Sequence, residues 1–180
     1  MPTATKAKPS NIITAMPPIG QTHSGAGGTF AGRFYDAGKA YALFLAPKAT
    51  GEIKSTTWGA VKKLVTGATS YSDGHANTAA MAKAGSALAK WARGLTIGGH
   101  KDWYLPSRLE ALVLFGELSG IKAFDPDRPY GIANSWYWTS TQYAGNEGYA
   151  WCQGFSYGNQ NDDHKSVLLR ARAVRRLNLE

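Results

Sequence analysis

The sequence predicts an α+β domain, with strand-forming segments towards both ends of the chain and helix-forming segments between them. Three observations point there. Aromatic and β-branched runs bounded by turn signals occupy residues 29–46 and 136–177. Two stretches with helical spacing lie between them, and glycine is abundant at 21 of 180 residues. With 6 Trp, 9 Tyr, 6 Phe and only 18% charged residues, the composition excludes a disordered tail, a coiled coil and a long-helix bundle.

Residues 1–28 are rich in Pro, Thr, Ala and Gly and end in Ser24-Gly25-Ala26-Gly27-Gly28, which reads as a flexible or partner-dependent arm. The domain itself is expected over residues 29–180. Phe30 to Tyr35, the turn Asp36-Ala37-Gly38-Lys39 and Tyr41 to Ala46 form a hairpin pattern whose second strand is apolar enough to be central. Trp58 to Val65 suits a short helix, and Gly67 to Asn77 suits a polar loop turning at Ser72-Asp73-Gly74.

Met81, Ala84, Leu88 and Trp91 then fall at helical spacing, so one helix is expected from Thr78 to Trp91 with a stop at Gly94. A second helix begins at a capping box, with Ser107 as N-cap and Glu110 three residues on. Leu109, Leu112, Val113 and Leu118 form its expected buried stripe, and Gly120 its stop. Strands are expected at Trp136 to Thr141, Tyr149 to Tyr157 and Val167 to Leu177, with Gly158 to Lys165 as a polar loop.

Chemistry-bearing patterns are few. Cys152 is the sole cysteine, so neither an internal disulfide nor a CxxC site exists. His23, His75, His100 and His164 are too far apart for a local zinc motif. Asp125-Pro126-Asp127 and Asp162-Asp163-His164 read as solvated turns without calcium-loop spacing. Catalytic and nucleotide-binding fingerprints are missing, so no enzyme, no cofactor and no metal are expected.

The formal charge of +8 raises nucleic acid as a partner, but residues 1–90 carry 10 Lys and Arg against 3 Asp and Glu while residues 91–180 carry 10 against 9. The first-half lysines (Lys39, Lys48, Lys54, Lys62, Lys63, Lys83, Lys90) are scattered, which favours a solvated basic face over a nucleic-acid groove. Arg170, Arg172, Arg175 and Arg176 read as strand arginines that pair with the domain's own acids. No secretory signal peptide and no membrane span are expected, which suits a cytoplasmic or phage-particle-associated protein. The stretch from Tyr143 to Leu168 mixes Tyr, Ser, Gly, Asn, Asp and His as antigen-reading loops do, and reads as a binding surface on a rigid scaffold.

Asp102-Trp103-Tyr104-Leu105-Pro106-Ser107, the capped helix and Tyr137-Trp138-Thr139-Ser140-Thr141 together resemble the Lcl C-terminal group of C-type-lectin-fold domains. Ala150-Trp151-Cys152-Gln153-Gly154-Phe155-Ser156-Tyr157-Gly158-Asn159-Gln160, then Lys165 and Arg170 to Arg175, resemble the variable region of diversity-generating retroelement target proteins. That resemblance implies a C-type lectin fold, with two helices packed on a small, mostly antiparallel sheet with long irregular loops. It also implies a non-enzymatic ligand-binding protein whose 3′ coding end is rewritten by adenine-directed mutagenesis.

By the resemblance the fixed slots are Trp151, Gln153, Phe155, Gly158, Gln160, Lys165 and Arg170 to Arg175. The diversified, ligand-binding slots are Cys152, Gly154, Ser156, Tyr157, Asn159, Asn161, Asp162, Asp163, His164, Ser166, Val167 and Leu168, joined upstream by Tyr143, Gly145, Asn146 and Tyr149. Tyr143, Tyr149 and Tyr157 are the implied anchors, and Asp162, Asp163 and His164 the polar selectors. Changing only the adenines of an AAY codon never yields Lys, Glu, Gln, Met or Trp, and none of these occupies a diversified slot. The partner implied is a protein or a glycan, with a homo-oligomer formed through the arm also open. A fixed lectin-like or adhesin-type glycan-binding domain and a basic nucleic-acid-binding protein are the alternatives.

Overall fold

The computed structural model describes residues 16–121, 123, 124 and 136–180. Residues 1–15 of the expected arm and the Asp125-Pro126-Asp127 turn lie outside the described residues.

The hairpin pattern forms β2 (Gly28–Asp36) and β3 (Lys39–Leu45), joined through Ala37 (φ 48°) and Gly38 (φ 79°). Two consecutive left-handed residues give the tight turn whose twist suits antiparallel strands. Before them, β1 (Thr22–His23) pairs with Thr29 and Gly28 of β2, and Ala26 is fully buried. The arm boundary expected at residue 28 is therefore corrected: backbone pairing and a buried alanine hold Thr22 to Gly28 against the first sheet. The last strand, β9 (Val174–Asn178), pairs antiparallel with β3, so the order in this sheet is β1-β2-β3-β9 and both ends of the domain meet.

A single turn, α1 (Lys48–Gly51), leads into β4 (Glu52–Thr56). The second sheet has the order β4-β8-β5-β6-β7, built with β5 (Trp136–Gln142), β6 (Tyr149–Gly154), β7 (Gln160–His164) and β8 (Leu169–Arg172). Its pairs are antiparallel except the parallel contact of β5 with β8. The run from Val167 to Leu177, expected as one strand, divides at Ala173 between the two sheets. Ala173 bonds Ala46 and Gly51 through its own carbonyl and N–H, which turns the chain from one sheet to the other. The polar loop expected at Gly158 to Lys165 contains β7, whose ladder to β6 needs backbone groups and not apolar alternation.

The helical region departs from expectation in two places. Trp58 to Val65 is not helical, because Gly59, Ala60 and Lys62 have φ of 90°, 51° and 56°. Trp58 is fully buried and pinned by its N–H to the Lys165 carbonyl at 3.0 Å and its Nε1–H to the Thr139 carbonyl at 2.9 Å. The helix expected from Thr78 to Trp91 is two: α2 (Gly74–Lys83), capped by Asp73, and α3 (Ala87–Gly94), capped by Ser86. Gly85, at φ 98°, separates them.

The capping box forms as expected at α4 (Arg108–Leu118): the Ser107 side chain accepts from Glu110 N–H, and Glu110 accepts from Ser107 N–H. The buried side of α4 is Glu110, Ala111, Leu114 and Leu118, while the expected Leu109, Leu112 and Val113 are only partly covered. A 3-10 turn carries the chain past Gly120 to Ile121. The two main apolar clusters lie around Trp58, Met81, Leu88 and Trp138, and around Leu43, Tyr104, Leu114 and Tyr137. Among the described residues no helix is long and apolar enough to cross a membrane. The architecture is α+β.

Candidate functional site

Strands β6 and β7 form the outer edge of the second sheet, in the register Tyr149↔His164, Trp151↔Asp162 and Gln153↔Gln160. Alternation puts these six residues on one side and Ala150, Cys152, Asn161 and Asp163 on the other. Ala150 and Cys152 enter the core beside Trp138. The first side carries the aromatic rings, with Tyr149, Trp151, Gln160, Asp162 and His164 half-exposed and Gln153 buried, while Asn161 on the other side is exposed.

At its centre the Trp151 ring lies under the Arg108 guanidinium, 3.5 Å from centroid to Cζ, with Tyr71 on the same cation at 5.5 Å. Arg108 Nε–H donates to Gln160 Oε1 at 2.9 Å, and Gln160 Nε2 donates back to the Arg108 carbonyl at 2.8 Å and to Gln153 Oε1 at 3.0 Å. Gln153 is fully buried and donates on to the carbonyls of Gly154 and Asn159. A chain of amides thus ties the start of α4 to the β6–β7 turn. Tyr143 stands edge-on to Trp151 at 5.6 Å, and Tyr149 edge-on to His164 at 5.4 Å.

The surrounding slots are held locally. Asn146 Oδ1 accepts from Gly148 N–H at 2.9 Å, and Gly145 lies against the Tyr143 ring. Asp163 Oδ1 accepts from His164 N–H at 2.8 Å, and His164 Nδ1 lies 2.7 Å from Ser166 Oγ. Tyr157 is 81% exposed and Leu168 56% exposed; Ser156 is half-buried, and Asn159 and Asn161 are exposed. Asp162 is half-buried opposite Trp151, and Val167 packs partly against the core around Trp58.

Two of the implied ligand-binding positions are corrected. Cys152 is only 2% exposed and donates from Sγ to the Asn161 carbonyl at 3.2 Å, because strand alternation turns it into the core. Burial pushes its thiol up to about 12, so it is neither a contact nor a nucleophile at neutral pH. Gly154 is buried, and a Cβ there would crowd Asn159 Oδ1 at 3.0 Å and the Trp136 ring at 3.3 Å, which would have to give by a few tenths of an ångström. Conversely Arg108, Tyr71 and Trp151 belong to the face although none was an expected contact. No local pattern signals them, since Tyr71 and Arg108 lie far upstream of the β6–β7 ladder.

Beneath the face, Lys165 is fully buried and directs Nζ to Gln142 Oε1 at 2.7 Å and to the Lys63 carbonyl at 2.9 Å, above the Trp58 ring. Burial lowers its pKa to about 8. The terminal arginines pair internally: Arg170 and Arg172 with Glu52, Arg175 with Asp102, and Arg176 with Asp36 and Asp73. The scattered first-half lysines are all exposed and lie on several different elements. Among the described residues no group of three or more His, Cys, Asp or Glu is arranged to hold a metal ion.

The chain matches no curated protein. The family model of the Lcl C-terminal domain matches residues 50–175, which takes in α2 to α4 and the entire β6–β7 face. On that match across most of its length, the chain belongs to the Lcl C-terminal domain family.

Proposed function

We propose that this chain is a non-enzymatic binding domain of C-type lectin fold, whose C-terminal surface is diversified by a retroelement and offered to a protein or glycan ligand. Mostly antiparallel sheets flanked by helices, with long irregular connections, are consistent with that fold. The proposal assigns the protein to the cytoplasm or to a phage particle.

One observation carries the reading: most fixed slots are buried, and most diversified slots are not. Of the fixed slots, Gln153, Phe155, Lys165, Ala171, Arg172, Ala173, Val174 and Arg175 are buried, while Trp151, Gly158, Gln160 and Arg170 are half-buried. Every diversified slot except Cys152 and Gly154 keeps exposed or half-exposed surface. Random replacement needs this division, since a large-to-small core change costs about 2–5 kcal/mol of a total stability of roughly 5–15 kcal/mol. Surface replacements away from caps and turns stay within about 0.5 kcal/mol.

The experiment is to sequence the DNA flanking the gene. An adenine-rich near-copy of its 3′ end beside a reverse transcriptase gene is the expected result. A locus with neither contradicts diversification and leaves a fixed recognition domain.

A further inference from the structure

We infer that Arg108 is an invariant anchor for a carboxylate of a partner protein, set among side chains that vary. The inference rests on the binding-domain reading and adds the chemistry of the ligand to it. Arg108 precedes the segment 136–177, so rewriting the 3′ end leaves it in place while Tyr143, Tyr149, Asp162 and His164 around it change.

The geometry is that of a guanidinium prepared for an anion. Trp151 supports its flat face at 3.5 Å, and Gln160 holds Nε at 2.9 Å, so its plane is set before any ligand arrives. Pre-setting the plane reduces the entropy lost on binding, and the Nη edge is the one that takes a carboxylate by two parallel hydrogen bonds. The four arginines of β8 and β9 each have an acid: Glu52 for Arg170 and Arg172, Asp102 for Arg175, and Asp36 with Asp73 for Arg176. Arg108 has no ion pair among the described residues, and its one side-chain hydrogen-bond partner there is the neutral Gln160. Asp162, across the ladder from Trp151, forms no ion pair with it. Partial burial strips water from this cation and holds its pKa below the ordinary value, a cost that an incoming carboxylate offsets.

The surroundings favour a protein as the source of that carboxylate. Tyr71 is 46% exposed beside the guanidinium, with Tyr143, Trp151 and Tyr149 along the same side. Tyr, Trp and Arg clustered at the centre of a patch are the side chains that dominate protein–protein affinity. An aspartate or glutamate on a protruding loop of the partner fits this arrangement.

The test uses the full chain, isotope-labelled for NMR, and an acetylated peptide of alternating glycine and glutamate as the probe. The glutamate peptide should shift the Arg108 Nε–H and Trp151 Nε1–H cross-peaks saturably, and its glutamine counterpart should not. Arg108→Gln should raise the Kd about tenfold, the scale of one bidentate charged contact. Arg108→Lys keeps the charge without the fork, should raise it by less, and decides the matter if the glutamine variant folds poorly. Asp162→Asn, which removes a nearby negative charge, should tighten binding. Equal shifts from both peptides, or an unchanged Kd in both Arg108 variants, overturn the anchor. Tighter binding of a sulfated disaccharide at the same cross-peaks overturns the assignment to a protein carboxylate. None of these outcomes bears on the flanking DNA, where diversification stands or falls separately.

Discussion

Lys165 donates from a fully buried Nζ to Gln142 Oε1 across 2.7 Å, and this bond ties the β7–β8 turn to the end of β5. The same ammonium lies 4.6 Å from the Trp58 ring centre, while its backbone carbonyl receives the Trp58 N–H. One lysine thus braces the exposed or half-exposed slots 161–164 on one side of it and 166–168 on the other. Burial lowers its pKa from 10.5 to about 8, so between those values the unfolded chain binds more protons than the folded one. Stability therefore rises with pH across that window. The unfolding free energy of wild type minus that of Lys165→Met should grow by roughly 2–3 kcal/mol as pH goes from about 8 to about 10.5. Urea titrations at several pH values measure it, and a flat difference would refute the buried-ammonium account.

Glu110 has the opposite sign. Tyr104 donates to its Oε1 at 2.6 Å and Ser107 N–H to its Oε2 at 2.7 Å, yet complete burial raises its pKa from 4.5 to about 7. The folded state holds the proton more tightly, so the stability it contributes is fully present below the unfolded value and lost as pH rises through the folded one. Wild type minus Glu110→Gln should fall by roughly 3 kcal/mol between about pH 4 and pH 8, with other carboxylates cancelling in the difference. Glu110→Ala also leaves two buried donors without their acceptor, and its cost should show the same fall, largest near pH 4 and roughly 3 kcal/mol smaller near pH 8.

Cys152 should be silent to thiol reagents in the native protein. Its Sγ is buried and its pKa raised to about 12, first by burial and then by Asp163. Alkylation followed by mass spectrometry should show modification only at the rate of unfolding. Fast labelling without denaturant would place the thiol on the surface after all.

Gly158 closes the β6–β7 turn at φ 79°, and a Cβ there would run into the Phe115 ring. Gly158→Ala should lower the denaturation midpoint by an amount worth about 1–3 kcal/mol with an unchanged m-value. Gly85, with similar φ and open surroundings, should lose less, about 1 kcal/mol, on the same change. Equal losses at the two positions would remove Phe115 from the explanation.

What was legible in the sequence was what a short segment decides for itself. The Ser107–Glu110 box and the Asp36–Lys39 turn satisfy their own backbone groups within a few residues, and both form where expected. Trp58 to Val65 departs from the helix its sequence suggests because contacts from Ser86, Thr139 and Lys165 decide its path. β7 was hidden by its polar composition, since a sheet edge needs a pairing partner more than an apolar pattern. In the site, the slots of β6 and β7 were named from a resemblance, but which of them turn inward depended on register. Cys152 and Gly154 went to the core for that reason. Arg108 carries no local signal, because its placement comes from Trp151 and Gln160, more than forty residues away.

The central claim is that diversification is confined to what the fold exposes. Aligning the gene with its adenine-rich template, codon by codon, tests this most directly. Mismatches should fall at codons for exposed or half-exposed residues such as Tyr149, Tyr157, Asn159, Asp162, His164 and Leu168. Codons for Gln153, Phe155, Lys165 and Arg172 to Arg175 should be identical in both. Mismatches spread equally over those buried positions, or the lack of any template, would contradict the account.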